Sequence, residues 1–348
     1  MLKQAIRYAY KKTPSHFKGK LYNLINTDSF YTNKVQNLID SITMLSTPIT
    51  DRESQKKILK KHLQVVEIEI ASFCNRTCYF CPNSHIDRKS KSIELDEAVF
   101  LKLLDNLSEI DYDKFLNFHR FNEPLANREL ILKRVRQARE RLPKAKFCIF
   151  TNGDYAQKAY FEELREAGVT HILMSYYPTN KDYDREKVIK AMEKMQQKLG
   201  LKSRLVHNTL EEYCVQFLMD SLEINYRSWN PNFTGQNRGG SLDSMKQTHN
   251  IQSGCFHPAM SFYVDYNGLV MPCCQTRSDE ITHKPFILGD CNKNDMFEIF
   301  FSPTATNLRR ELFANTATTC NEDIQRICKD CTDRRRELFF SSFKQMND

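Results

Sequence analysis

"VVEIEIASFCNRTCYFCPNS", residues 65–84, joins an apolar run to a loop that carries three cysteines within eight positions: Cys74, Cys78 and Cys81. The run is rich in β-branched residues (Val65, Val66, Ile68 and Ile70) and predicts a short strand leading into the loop. The cysteine spacing is C-x3-C-x2-C, with no fourth cysteine close by; the next is Cys148. Four thiolates normally saturate an iron–sulfur cubane, so three on one loop leave a coordination position open. An open position is how a metal centre binds and activates a ligand, whereas a closed set of four is usually structural.

The same rhythm continues along the chain. Strands are expected at "KFLNFH" (114–119), "AKFCIFTN" (145–152), "HILMSYY" (171–177), "SRLVHN" (203–208) and "LEINYRSW" (222–229). Between them fall amphipathic helices: one with Val99, Phe100, Leu103, Leu104 and Leu107 on one face, others near 127–141, 155–167 and 184–199, and a further helix before 222. Strand and helix in alternation predict an α/β fold of parallel strands joined by right-handed crossovers, as six units of an open sheet or barrel. In such barrels the chemistry sits on the loops at the carboxyl ends of the strands, and the three cysteines occupy the first of these.

Three segments are expected. Residues 1–62 are basic and helical, with Val35, Leu38, Ile39, Ile42 and Leu45 at helical spacing and Pro48 as a stop. Residues 63–230 carry the alternating pattern. At "NPNFTGQNRGGS" (230–241) it breaks, and residues 231–348 form a smaller cysteine-rich domain.

The 348-residue chain has no apolar run long enough to span a bilayer, and "MLKQAIRYAYKK" lacks the apolar core of a secretory signal. A cytoplasmic location is therefore expected, and there twelve cysteines point to metal or redox chemistry rather than disulfides. The formal charge of +8 is scattered apart from lysines at 56–61 and Arg334, Arg335 and Arg336. With a single Trp and no nucleic-acid motif, this predicts a solvated surface rather than a nucleic-acid or membrane partner.

The cysteine loop after the first strand resembles the signature of the radical S-adenosylmethionine (radical SAM) superfamily, whose fold is a partial (β/α)6 TIM-like barrel. The resemblance implies that Cys74, Cys78 and Cys81 ligate three irons of a 4Fe–4S cluster whose fourth iron chelates SAM, and that Phe80 lies near the adenine. "FNEPL" (121–125) resembles the family's Gly-Gly-Glu-Pro stretch. Glu123 and Pro124 are kept and both glycines replaced, which implies Glu123 as a contact of the SAM amino group. "TNG" (151–153) is similar to a family feature after the third strand and brings in Asn152; Ser175 and Arg204 fall where SAM carboxylate and ribose contacts are expected. An electron from a donor such as flavodoxin or ferredoxin would release a 5′-deoxyadenosyl radical that abstracts hydrogen from substrate. His119 and Arg120 stand just ahead of this stretch, and a strand-end histidine is more often structural.

A second set, Cys255, Cys273, Cys274, Cys291, Cys320, Cys328 and Cys331, lies near the C-terminus. "DYNGLV" predicts a hairpin with Asn267-Gly268 at its tip, drawing Cys255 and Cys273 together. The spacing C-x12-G-x4-C followed by C-x2-C resembles the SPASM and shorter "twitch" extensions of radical SAM enzymes. That likeness implies one auxiliary 4Fe–4S cluster on Cys255, Cys273, Cys328 and Cys331, with Cys274 the alternative to Cys273. Cys148, Cys214, Cys291 and Cys320 read as buried or free thiols. A four-cysteine zinc site, and with it a non-enzymatic zinc-binding protein, is the rival reading. Enzymes with such extensions modify peptides or oxidise small alcohols such as aminocyclitols. The first is favoured by the motifs together and the second by the short extension.

Overall fold

The structure, a computed structural model, describes residues 40–178, 183–230, 233, 235–245, 255–315 and 320–331. Val35, Leu38, Ile39 and Arg334–Arg336 lie outside the described residues. A helical segment over 40–45 and α1 (Arg52–His62) precede the sheet.

Strands β1 (Val65–Ile68), β2 (Phe115–Asn117), β3 (Lys146–Thr151) and β4 (His171–Ser175) are parallel neighbours. Helices α2 (Glu97–Ser108), α3 (Arg128–Arg141) and α4 (Lys158–Ala167) cross over between them, and α5 (Arg185–Leu199) follows β4. The helices start where short polar side chains accept the first free backbone N–H groups: Asp96 from Ala98 and Val99, Asn127 from Leu130, Asp184 from Glu186 and Lys187. Helix α2 buries the apolar face read from its spacing, Val99, Phe100, Leu103, Leu104 and Leu107.

The expected six-unit repeat stops after α5. β5 (Ser203–Asn208) is followed not by a helix but by β6 (Glu212–Met219), antiparallel both to β5 and to β7 (Leu222–Trp229). Only β7 returns parallel to β4, with Ser175 opposite Arg227. The reason is local. Thr209 N–H closes a tight turn on Glu212 O at 2.9 Å, and such a turn joins strands antiparallel instead of opening a crossover. Alternation puts Val215 and Phe217 on one buried face of β6, and Cys214 is buried on the other.

The cysteine-rich segment does not stand apart. After α6 (His257–Met260), β8 (Ser261–Val264) pairs parallel with β1, and β9 (Leu269–Met271) and β10 (Gly289–Asp290) complete a ten-stranded sheet of order β10-β9-β8-β1-β2-β3-β4-β7-β6-β5. The β8–β9 hairpin turns at Gly268, where φ is +82° and an added Cβ would meet Asn292 Nδ2 at 2.5 Å. Helices α7 (Met296–Phe300), α8 (Pro303–Ala314) and α9 (Glu322–Cys328) close this half.

Strand alternation splits the sheet into two faces. Val66, Leu116, Phe147 and Ile172 are buried in the apolar core shared with the helices. The opposite register row, Tyr263, Glu67, Asn117, Cys148, His171 and Glu223, is largely polar. No helix among the described residues is long and apolar enough to cross a membrane.

Candidate functional site

The cysteine loop leaves β1 at its carboxyl end and folds back on itself. Cys74 N–H donates to Arg88 O at 2.9 Å, Cys81 N–H to Cys78 O at 3.0 Å, and Ser84 N–H to Cys81 O at 2.9 Å. All three thiols are free and half-buried. Burial, joined by the charges of Glu123 and Cys81, pushes Cys74 up to about 11; burial with Cys81 and Cys74 pushes Cys78 up to about 12. Three thiolates here oppose one another, and a cluster of cationic irons relieves that opposition. Among the described residues no three His, Cys, Asp or Glu side chains converge on a single ion. A cubane places each thiolate on its own iron and needs no such convergence, so the loop fits a cluster.

The loops after β2 and β3 are tied to this one. Glu123 N–H donates to Phe73 O at 2.8 Å, which sets the "FNEP" stretch against the cysteine loop despite the missing glycines. The buried Glu123 carboxylate accepts from Thr151 Oγ1 at 2.7 Å, Asn152 N–H at 2.7 Å and Leu125 N–H at 3.1 Å. Burial outweighs these bonds and raises it to about 7. Asn152 Nδ2 donates to Asn75 Oδ1 at 2.8 Å, and Asn75 and Arg76 both donate to Asp154.

Phe80, 5% exposed, packs edge-on against Trp229 at 4.9 Å and tilted against Tyr177 at 4.7 Å, with Leu242 and Met245 alongside. Ser175 is buried at the end of β4, in hydrogen-bond contact with Tyr177. Phe80, Glu123, Asn152 and Ser175 thus gather with the cysteine loop at one end of the sheet. Arg204 does not. It lies exposed on the edge strand β5, donating to Gln216 Oε1 at 2.7 Å, because the β5–β7 meander carries that strand outward. The basic residue beside Ser175 is Arg227 of β7, whose buried Nε has no partner among the described residues. The sequence reading passed over it, and over Trp229, although both end a predicted strand.

Cys255, Cys273, Cys328 and Cys331 line one small enclosed cavity with Pro258, Leu312 and Ile327. Burial, followed by the charge of Cys331, pushes Cys273 up. Cys274 does not line the cavity; its sulfur accepts from Gln275 Nε2 at 3.3 Å. Four thiols around one small, mainly apolar cavity suit a fully ligated cluster. Cys148, Cys214 and Cys291 are free and buried elsewhere, whereas Cys320 is buried in the same apolar cluster as Cys255.

The two cysteine sets are joined by a charge network, buried except at His85, that sequence reasoning did not find, since its partners lie far apart in the chain. Arg88 donates to Glu69, Ser72 O and Asp279; Arg277 donates to Asp279 and to Asn83; His85 Nε2 meets Glu280 at 2.9 Å.

Comparison with known proteins gives two family matches: a model described as Radical SAM superfamily over residues 68–208, and one described as Iron-sulfur cluster-binding domain (SPASM) over residues 255–332. An S-adenosyl-L-methionine-dependent 2-deoxy-scyllo-inosamine dehydrogenase of Niallia circulans is 25% identical over 273 residues, 78% of this chain and 94% of that protein. Among solved structures, BtrN in complex with AdoMet and 2-DOIA superposes with a TM-score of 0.56 at 22% identity, covering 78% of this chain and 94% of that one. BtrN in an open conformation gives 0.51 at 20% identity, covering 78% and 92%.

Proposed function

The chain belongs to the radical SAM superfamily, with a SPASM iron–sulfur domain behind its core, and from that premise we infer that it oxidises a carbinol of a small polyhydroxylated molecule, of the aminocyclitol type. It is an oxidoreductase that uses SAM and 4Fe–4S clusters. Cys74, Cys78 and Cys81 would hold the SAM-binding cluster, and Cys255, Cys273, Cys328 and Cys331 the auxiliary one. When bound, these groups supply a radical that removes a hydrogen atom from the substrate carbon and a sink for the electron that follows.

The protein's own residues bind and orient. Glu123, held by three donors, would offer its remaining lone pairs to the N–H of the SAM amino group, an acceptor role that its carboxylate form serves best. Phe80, backed by Trp229 and Tyr177, supplies an apolar wall for the adenine. Ser175 and Arg227 stand side by side at the ends of β4 and β7, where a hydroxyl and a guanidinium serve a carboxylate or ribose. An external one-electron donor such as flavodoxin or ferredoxin completes the requirement.

The observation that carries the small-molecule reading is that the likeness to the dehydrogenase spans 94% of that protein and 78% of this chain. Polar groups on and just after β2 support it: Asn117 Oδ1, His119 Nδ1 and Asn122 Nδ2 are buried without partners among the described residues, and a hydroxylated amine supplies both donors and acceptors for them. The peptide reading favoured by the motifs gives way on these grounds.

The test is turnover of the anaerobically reconstituted protein with SAM and dithionite against a panel of aminocyclitols and short peptides. A ketone two hydrogens lighter than an aminocyclitol, formed together with 5′-deoxyadenosine, is expected. Modification of peptides alone would return the reading to peptide maturation.

A further inference from the structure

Arg120 shares a short loop with Glu123 but serves the other cysteine set. Its Nη1 pairs with Asp265 Oδ1, and its Nη2 donates to Cys273 O at 2.9 Å and Thr276 O at 2.7 Å. The Arg120 side chain is 1% exposed and that of Asp265 is fully buried. Asp265 is fixed in turn by Ser278 N–H at 2.5 Å, and the Tyr263 ring lies 5.1 Å from the guanidinium carbon. Six residues, 119–124, therefore reach from the carboxylate beside the first cysteine loop to the backbone of a ligand in the second set.

A tie between two loops needs only neutral hydrogen bonds, and burying a guanidinium with its carboxylate costs several kcal/mol of desolvation that Coulomb attraction offsets only in good geometry. The charge is therefore the feature to explain. It sits against the Cys273 carbonyl, in a region of low dielectric where a fixed charge acts strongly on a neighbouring centre. Reduction adds negative charge to a cluster, so a buried cation bonded to the backbone of one of its ligands would favour the reduced form; charge and hydrogen bonding around the sulfurs are what set such potentials.

We propose that Arg120 is a positioning residue for the auxiliary centre: it fixes the Cys273 segment and, by its charge, raises the reduction potential of the cluster that Cys273 holds. The Arg120–Asp265 pair thereby poises the centre to receive an electron, with Asp265 moderating the effect. This rests on the assignment of Cys273 as a ligand made under Proposed function.

The experiment uses the full-length reconstituted protein with Cys74→Ala, Cys78→Ala and Cys81→Ala, so that only the auxiliary cluster titrates, and reads its midpoint potential by EPR alongside iron content. Arg120→Gln is expected to disfavour reduction tenfold or more, about 59 mV for one electron. Arg120→Lys should stay near the parent, and Asp265→Asn should shift the potential upward. An Arg120→Gln protein with full iron and the parent potential would overturn the proposal. If that variant loses its cluster, Asp265→Asn decides: no upward shift overturns it equally. A parent without auxiliary iron would strike the ligand assignment itself, an outcome distinct from an unmoved potential.

Discussion

Arg88 Nε donates to Asp279 Oδ2 at 2.8 Å across 191 positions of sequence, while its Nη1 holds Glu69 Oε1 at 3.2 Å. One guanidinium, 3% exposed, thus joins the loop behind the first cysteine set to the segment behind the second. Arg88→Ala leaves the fully buried Glu69 without that partner and Asp279 with Arg277 alone, and is expected to cost about 3–5 kcal/mol, read as a lower Tm in the reconstituted protein. The pH dependence has a definite sign. Burial works against the Asp279 carboxylate, but the hydrogen bond and charge of Arg277, with Arg88, bring it from 3.8 down to about 2. Its contribution is present above 3.8 and is lost as pH falls toward 2.

Cys273 and Cys274 are neighbours, and only Cys273 lines the second cavity. Cys273→Ala is expected to lower iron content by about four per chain, and Cys274→Ala to leave it near the parent value of about eight. Iron and sulfide analysis after reconstitution checks both; equal losses would remove the distinction.

Glu123 sits near 7 because burial disfavours its charged form. A raised carboxyl stabilises the fold fully below its unfolded value of 4.5, and that contribution is lost as pH rises through about 7. SAM binding, if Glu123 serves it as proposed, should run the opposite way, tightening as pH climbs to about 7 and levelling above it. Glu123→Gln should flatten this profile and weaken binding by about 1.5–3 kcal/mol, roughly ten- to a hundredfold. Calorimetry between pH 6 and 8 gives the answer.

Gly268→Ala places a Cβ at φ +82° and against Asn292 Nδ2. The strain should cost about 1–3 kcal/mol and loosen the hairpin that carries Cys273, seen as reduced stability and auxiliary-cluster retention. An unchanged protein would mean that Asn292 yields freely.

What was legible in the sequence was local. The strand before the cysteine loop, the apolar face of α2 and the Asn-Gly turn each follow from a few consecutive residues, and the strand ends place Glu123 and Asn152 beside the thiols without any fold being known. Arg204 went astray because a repeat was carried one unit too far: β6 alternates like a strand, yet the count called for a helix. Arg120, Arg88 and Arg277 were hidden for another reason. An arginine in isolation looks like surface, and only its distant partners, Asp265, Glu69 and Asp279, reveal a buried cation.

The pairing of β8 with β1 has a consequence for how the chain can be divided. Every residue of β1 is matched on one flank by β8, Val65 opposite Ser261 through Ile68 opposite Val264. A fragment ending near 230 would strip that flank and leave Val65–Ile68 as a bare, apolar edge, a template for pairing with any other chain. The segment that carries the second cysteine set therefore also serves as a cover, shielding the strand that feeds the first cysteine loop from intermolecular pairing. Such a fragment should be recovered from expression as aggregate rather than as a smaller folded core.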